Sequence, residues 1–286
     1  MAIGTLHVVA TPIGNLGDLS PRAAEVLRTA DAVVAEDTRR TRKLFAHLGV
    51  PAPPLLSLPA FDERARLSPI VERLRAGQQV ALCTDAGTPG VADPGRLLVD
   101  AAWEAGARVV PVPGPSAALA ALSASGLASD RFQVIGFLPR KGVGREAALE
   151  ELRGSTATAV IFEAGNRAGG TLLELAGAMG ERRALLAREL TKLHEELARG
   201  SLRDLAARFR GELRGEVTLV IEGAAQAAPR AREEPAEPLE EELRRRLAAG
   251  EPPTGVARQV AQARGLARRE VYALITRLRE GEGDPG

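Results

Sequence analysis

Short apolar runs recur along the first two-thirds of the chain, each followed by a segment whose apolar positions return every three or four residues. That alternation predicts strands and helices layered in an α/β fold with parallel strands. Leu6 to Ala10 reads as a first strand and ends in Thr11-Pro12-Ile13-Gly14-Asn15. Ser20-Pro21 sets an N-cap before a proline at the first helical position, and this helix continues through Leu27. Ala32 to Ala35 is a second strand, entering Glu36-Asp37-Thr38-Arg39. Ser68-Pro69 repeats the cap signature, and Gly77 closes that helix. Gln79 to Thr84 is a third strand and runs into Asp85-Ala86-Gly87-Thr88-Pro89-Gly90. A helix from about Pro94 to Gly106 leads to a fourth strand, Arg108 to Val112, followed by Pro113-Gly114-Pro115-Ser116.

The pattern resets around Ser125 to Asp130. Strands follow at Phe132–Gly136, Ala157–Glu163, Ala184–Leu190 and Glu216–Glu222, with helices near Arg145–Leu152, Thr171–Met179 and Leu202–Phe209. Ser201 and Asp204 have capping-box spacing at the start of the last helix. The expected organisation is an α/β domain over residues 1–119, a second over 120–223, a linker over 224–238 and a helical basic module over 239–286. Within that module, Val256 to Leu266 and Arg268 to Leu274 are two amphipathic helices around Gly265, the spacing of a helix-turn-helix.

Charge changes this picture once it is divided by segment. The whole chain carries 38 basic and 37 acidic residues, which excludes a chain-wide polycation. Residues 233–242 hold glutamates and no basic residue, while residues 243–279 hold nine arginines against Glu251 and Glu270. A near-neutral total therefore conceals a basic module able to meet nucleic acid. Lysine occurs only at Lys43, Lys141 and Lys192, and asparagine only at Asn15 and Asn166, a bias that heat adaptation or codon usage would each produce. The single cysteine forbids an intramolecular disulfide and suits a reducing cytoplasm. The opening run Leu6 to Ala10 is too short for a signal or membrane segment, so no membrane partner is expected.

Loops rich in glycine and proline follow the predicted strands at Thr11–Gly14, Asp85–Gly90 and Pro113–Ser116. The carboxyl edge of a parallel sheet is where ligands bind, and glycine there lets backbone amides approach them. A phosphate-binding Gly-x-x-x-x-Gly-Lys-Ser/Thr motif is missing, as is the full Gly-x-Gly-x-x-Gly fingerprint. Glu36 and Asp37 stand where a dinucleotide fold keeps a ribose-binding carboxylate, or else cap the following helix. Arg39, Arg40, Arg42 and Lys43 form either a solvated helix face or a phosphate contact. His7, His47 and His194 have no ligand spacing, so no metal is expected, and Cys83 reads as packing rather than a nucleophile.

Read in order, the loops resemble one family. Thr-Pro-Ile-Gly-Asn-Leu at 11–16, Ala-Glu-Asp-Thr-Arg at 35–39, Asp-Ala-Gly-Thr-Pro at 85–89 and Asp-Pro-Gly at 93–95 carry the likeness. Pro-Gly-Pro-Ser at 113–116, Gly-Phe-Leu-Pro-Arg at 136–140, Arg-Glu-Leu-Thr-Lys at 188–192 and Gly-Glu-Val at 215–217 extend it. Together they resemble the tetrapyrrole-methylase-like superfamily, and within it the branch that 2′-O-methylates a cytidine of 16S ribosomal RNA. The resemblance implies two α/β domains with S-adenosylmethionine in the cleft between them, a homodimer, and 16S rRNA or the small ribosomal subunit as partner. Its cofactor positions fall on Pro12, Ile13, Asp85, Ala86, Gly87, Thr88, Val91, Ala92, Ser116 and Ala117. From the second domain come Phe162, Glu163, Leu190 and Gly215.

Two stretches depart from the family. A His-rich segment is replaced by Leu58-Pro59-Ala60-Phe61-Asp62-Glu63, and Glu-Ser-Pro-His-Arg by Glu163-Ala164-Gly165-Asn166-Arg167, which argues against an imidazole base at either place. A ribose hydroxyl is a weak acid, so a carboxylate or lysine accepting its proton assists the transfer. Asp37, Glu36 and Lys192 are the candidates, with Arg39, Arg40 and Arg167 as phosphate contacts; interdomain ion pairing is the competing role for each. Two other functions use the same features. One is C-methylation of a tetrapyrrole on this scaffold; the other is a ligand-sensing DNA-binding regulator built on the basic module.

Overall fold

The computed structural model describes residues 3–224, 238–264 and 266–281. The chain divides into two compact units, Met1–Ala228 and Pro229–Gly286. In the first unit β1 (Thr5–Val9), β2 (Ala32–Ala35), β3 (Leu55–Ser57), β4 (Gln79–Cys83) and β5 (Arg108–Val112) form a sheet in the order β3-β2-β4-β1-β5. Each of its pairings is parallel.

Alternation along the strands divides the core between the two faces. Val9, Val33, Ala35 and Ala81 pack against Ala23 and Leu27 of α1 (Pro21–Thr29) and against Leu44 and Phe45 of α2 (Thr38–His47). Leu6, Val34, Val80 and Leu82 point the other way, onto Ile70 and Leu74 of α3 (Leu67–Arg75) and Leu98 and Ala102 of α4 (Arg96–Glu104). Helices on both faces leave the carboxyl ends of the strands as the open edge.

A second sheet holds β6 (Phe132–Phe137), β7 (Thr158–Ala164), β8 (Arg183–Arg188), β9 (Glu196–Ser201) and β10 (Glu216–Ile221), in the order β6-β7-β10-β8-β9. It is mixed rather than parallel. β6 runs with β7, while β10 is antiparallel to both neighbours and β9 to β8. α6 (Val143–Gly154), α7 (Gly165–Met179) and α8 (Leu202–Arg208) cover one face. α5 (Ala117–Ser125) covers the centre of the other, setting Ala118, Ala121 and Leu122 against Val160, Leu185 and Val220.

Several elements differ from the sequence reading. α3 begins at Leu67 with Arg66 at the cap position, so Ser68 lies inside the helix and caps nothing. A short 3-10 turn over Arg64–Arg66 already feeds the chain into helical geometry, which removes the need for a serine cap. α7 starts at Gly165, not near Thr171. A Cβ on Gly169 of this helix would stand 2.9 Å from Gly211 N and 3.0 Å from Phe209 O, so glycine is what close packing requires there. β8 ends at Arg188 because Glu189 takes a left-handed φ of 52°. The edge strands β3 and β9 carry no clear apolar alternation.

The second unit packs α9 (Leu239–Ala248), α10 (Pro253–Arg264) and α11 (Arg268–Gly281) around Leu243, Val256, Val260, Val271 and Ile275. Residues 225–237, which include most of the expected linker, and Gly265 at the expected turn lie outside the described residues. Among the described residues no helix is long and apolar enough to cross a membrane.

Candidate active site

The loops leaving β1 and β4 are stitched together at the open edge of the first sheet. Thr11 N donates to Gly87 O at 2.8 Å, Gly87 N returns a bond to Thr11 O at 3.0 Å, and Thr11 Oγ1 donates to Thr84 O. Gly87 has a φ of +82°, a conformation that a side chain would strain. The loops after β2 and β4 are tied in the same way: Asp37 N donates to Asp85 Oδ1 at 3.1 Å, and Asp85 N to Glu36 Oε2 at 3.4 Å.

The loop after β8 closes onto this edge from the second sheet. Asn15 N donates to Thr191 Oγ1 at 3.0 Å, and a Cβ on Gly14 would fall 2.5 Å from Lys192 Cγ and 2.9 Å from Leu190 O. Gly14 is therefore a close approach between the loops of the two sheets that leaves no room for a side chain. Ala92, Glu189 and Thr191 hold positive φ without being glycine, and all three lie on cleft loops. Such backbone strain persists where the surrounding structure over-determines it, which happens often at functional sites.

Between the sheets lies a cavity of about 320 Å³. All the expected cofactor positions except Pro12 and Asp85 line it: Ile13, Ala86, Gly87, Thr88, Val91, Ala92, Ser116, Ala117, Phe162, Glu163, Leu190 and Gly215. Asp93, Phe137, Ala164, Ala187, Glu216, Val217 and Thr218 also line it and do not stand out in the sequence as site residues. Asp93, Phe137, Glu216 and Val217 lie in the Asp-Pro-Gly, Gly-Phe-Leu-Pro-Arg and Gly-Glu-Val motifs, a signal that could have found them; Thr218 had none, because strand order is not visible in a single chain. Phe137 and Phe162 meet with ring centroids 5.8 Å apart, giving the cavity an aromatic wall.

The candidate bases are placed unequally. Asp37 is the N-cap of α2, and the Arg39 guanidinium and backbone amide hold its carboxyl down at about 2. Arg39 itself pairs with Asp37 at 2.7 Å, and Arg40 approaches Asp85 at 3.3 Å. Burial raises Glu36 and Asp85 above the ordinary carboxylate range. Asp93 rises furthest, to about 6, through burial first and then the charge of Glu36.

Burial works to lower Lys192, but hydrogen bonds to Glu189 and Glu216, at 2.8 and 3.0 Å, leave it raised. A lysine held protonated donates and does not accept. Glu163 is fully buried and satisfied by Arg167 Nε, Thr171 Oγ1 and the Ala164 amide. The Arg167 guanidinium thus faces inward onto Glu163. Burial pushes the Cys83 thiol up to about 12, consistent with inert packing.

A cavity at the carboxyl edge of one α/β sheet, closed by a second mixed sheet, is the architecture of an α/β protein that binds a small molecule between two sheets. The chain belongs to the family of tetrapyrrole (corrin/porphyrin) methylases, whose model matches residues 5–206. It is 46% identical over 274 residues to a ribosomal RNA small subunit methyltransferase I of Xylella fastidiosa, covering 94% of this chain and 98% of that one. A protein of the same name from Synechocystis is 43% identical, covering 98% of this chain and 100% of its own. Among solved structures, the methyltransferase CobJ superposes with a TM-score of 0.59 at 20% identity, over 78% of this chain and 95% of CobJ. The uroporphyrin-III-C-methyltransferase of Thermus thermophilus gives 0.55 at 23% identity, over 77% and 94%. These two share the fold.

Proposed function

We propose that this chain transfers the methyl group of S-adenosylmethionine to the ribose 2′-oxygen of a cytidine in small-subunit (16S) ribosomal RNA. The observation that carries the reading is near-full-length likeness to proteins named for small-subunit ribosomal RNA methylation. The cleft fits the methyl donor in size and chemistry. Its volume is within the range of small-molecule sites. Ile13, Val91, Phe162 and Leu190 offer apolar contact to the adenosyl group, and Gly87 leaves backbone open toward the cavity. Ser116 and Ala117 begin α5 without a side-chain cap, so free amides and the helix dipole suit the donor's carboxylate.

When bound, S-adenosylmethionine supplies a methyl group already activated by the sulfonium charge. The protein's task is then to align the acceptor oxygen with it and to exclude water. Arg39 and Arg40, largely exposed on their acidic partners at the cleft edge, are positioned to meet phosphates.

The second unit serves as an RNA-docking module. Arg244, Arg246 and Arg264 are held by acidic partners. Arg258, Arg268, Arg269 and Arg277 are exposed, as is the Tyr272 ring, and a ribosomal acceptor makes the cytoplasm the site of action. The α5-bearing face of the second sheet leaves Leu119, Phe132, Val134 and Leu197 exposed, an apolar surface suited to a second copy of the chain.

The test offers labelled S-adenosylmethionine together with undermethylated small subunits, free 16S rRNA or a porphyrin precursor. Label in either RNA sample is expected. Label in the porphyrin alone, with none in RNA, overturns the reading in favour of a tetrapyrrole C-methyltransferase.

A further inference from the structure

We infer that Asp93 is the proton acceptor of the methyl transfer, a carboxylate standing in the cleft wall with the buried Thr84 hydroxyl beside it. The inference rests on the proposed RNA methylation and assigns its missing base.

Geometry carries the assignment. Asp93 lines the cavity, and the loop that holds it is locked at both ends. Upstream, Gly87 is paired to Thr11; downstream, Glu63 Oε1 accepts from Gly95 N at 3.0 Å, Leu97 N at 2.8 Å and Leu98 N at 3.2 Å. Glu63 thereby caps α4 from outside its own segment, where Gly95 has no side chain to do so. Between these anchors, Ala92 takes a φ of 62°. The carboxylate is thus presented on a rigid turn.

Its surroundings leave it free for chemistry. The groups facing Asp93 are Glu36 from the loop after β2, Asp85 from the loop after β4, Glu216 from β10, and Thr84. The nearby cations are engaged elsewhere: Arg40 lies on Asp85, and Lys192 on Glu189 and Glu216. Thr84 Oγ1 is buried, has no well-formed hydrogen bond among the described residues, and faces the Asp93 carboxylate. A carboxylate with no cation on it and one buried hydroxyl beside it keeps accepting capacity that an incoming polar group can use. The carboxylates do not converge as metal ligands: among the described residues no group of three or more His, Cys, Asp or Glu has that arrangement.

The other carboxylates and the lysine are committed. Asp37 caps a helix under Arg39, Glu36 accepts the Asp85 amide, and Lys192 stays protonated. With its pKa at about 6, Asp93 is ionised at neutral pH and a stronger base than an ordinary aspartate. In the step, a lone pair of the ribose 2′-oxygen forms the new O–CH3 bond as the S–CH3 bond breaks, and the sulfur keeps that bonding pair. The 2′-hydroxyl proton passes to an Asp93 oxygen. Methylated RNA and the neutral thioether leave, and Asp93 returns its proton to water.

The experiment compares the full-length protein with Asp93→Asn, an isosteric change. It measures single-turnover methyl transfer to small subunits from pH 5 to 9 and, separately, S-adenosylmethionine affinity by calorimetry. The expected result is a rate loss of about 100-fold or more, donor affinity within about twofold, and loss of the acid limb centred at about pH 6. An unchanged rate with the acid limb retained overturns the assignment. So does weakened donor affinity with the maximal rate preserved, which makes Asp93 a donor ligand. If the wild-type protein labels no RNA, the proposed function fails and this assignment falls with it. If the wild type labels RNA and Asp93→Asn matches it, only the assignment fails.

Discussion

The two walls of the cleft treat their carboxylates in opposite ways. On the second sheet, Glu163 is held by Arg167, and Glu189 and Glu216 are both held by Lys192. On the first sheet, Glu36, Asp85 and Asp93 crowd one another, and of these three Asp85 is the one with an arginine, which is itself mostly exposed. Pairing drives a carboxylate's proton affinity down, as the Lys192 hydrogen bond does at Glu189, whereas burial among like charges drives it up, as at Asp93. One wall therefore gains stability from its paired carboxylates, and the other carries carboxylates that are costly to ionise. Perturbed titration concentrated on one side of a cavity is a pattern of reactive sites.

Removing a cation from the paired wall has the largest expected effect on stability. Arg167→Ala leaves Glu163 buried with its charge uncompensated and is expected to cost about 3–5 kcal/mol, read from the urea midpoint at constant slope. A loss below about 1 kcal/mol would mean that the pairing is incidental.

Next is the junction that joins the walls. Gly14→Ala drives a Cβ into Lys192 and the Leu190 carbonyl, with an expected cost of about 1–3 kcal/mol and a weaker grip on the methyl donor. Equal donor affinity in calorimetry would show that the loop after β8 does not shape the cavity.

A smaller effect of opposite sign belongs to the reactive wall. Asp93 binds a proton more readily folded than unfolded, where an aspartate titrates at about 4. Its contribution is fully favourable below a pH of about 4 and is lost as pH rises through about 6. Glu36 and Asp85 shift in the same direction. At pH 7, Asp93→Asn is thus expected to stabilise the protein by about 1–2 kcal/mol, after discounting the shift for solvent screening, and to flatten the decline between about pH 4 and 6. A destabilised variant at pH 7 would contradict the account of that wall.

The last prediction leaves the cleft intact. Replacing Arg268, Arg269 and Arg277 together by alanine should preserve donor binding and lower RNA affinity. On single-stranded RNA the log–log salt slope should shrink by about 0.7 for every phosphate that the variant no longer neutralises. An unchanged salt slope removes the docking role of α11.

The contrast between the walls is only half legible in the chain. Most of the first sheet announces itself, because β1, β4 and β5 are short apolar runs that stop at Gly- or Pro-rich loops, as Val9 to Gly14 and Cys83 to Gly90 do. Those loops carry the cavity's first wall, so most of its lining follows from local pattern and motif. The second wall depends on β10 lying between β7 and β8, a long-range order that no local pattern encodes. Val217 and Thr218 reach the cavity for that reason alone. The β3 and β9 edges escape detection because edge strands need no two-sided apolar alternation. Asp93 looks like part of a tight turn, and its distinction lies in what surrounds it. Asp37 is the reverse case: its position suggests chemistry, while the structure gives it the α2 cap.

Under the proposed function, this cleft delivers a methyl group to a ribose oxygen of small-subunit RNA. Its most direct test is nucleoside analysis by mass spectrometry of 16S rRNA from undermethylated small subunits incubated with the protein and S-adenosylmethionine. The expected product is 2′-O-methylcytidine at a single position. Methyl groups on the base only, or none in the RNA at all, would contradict it.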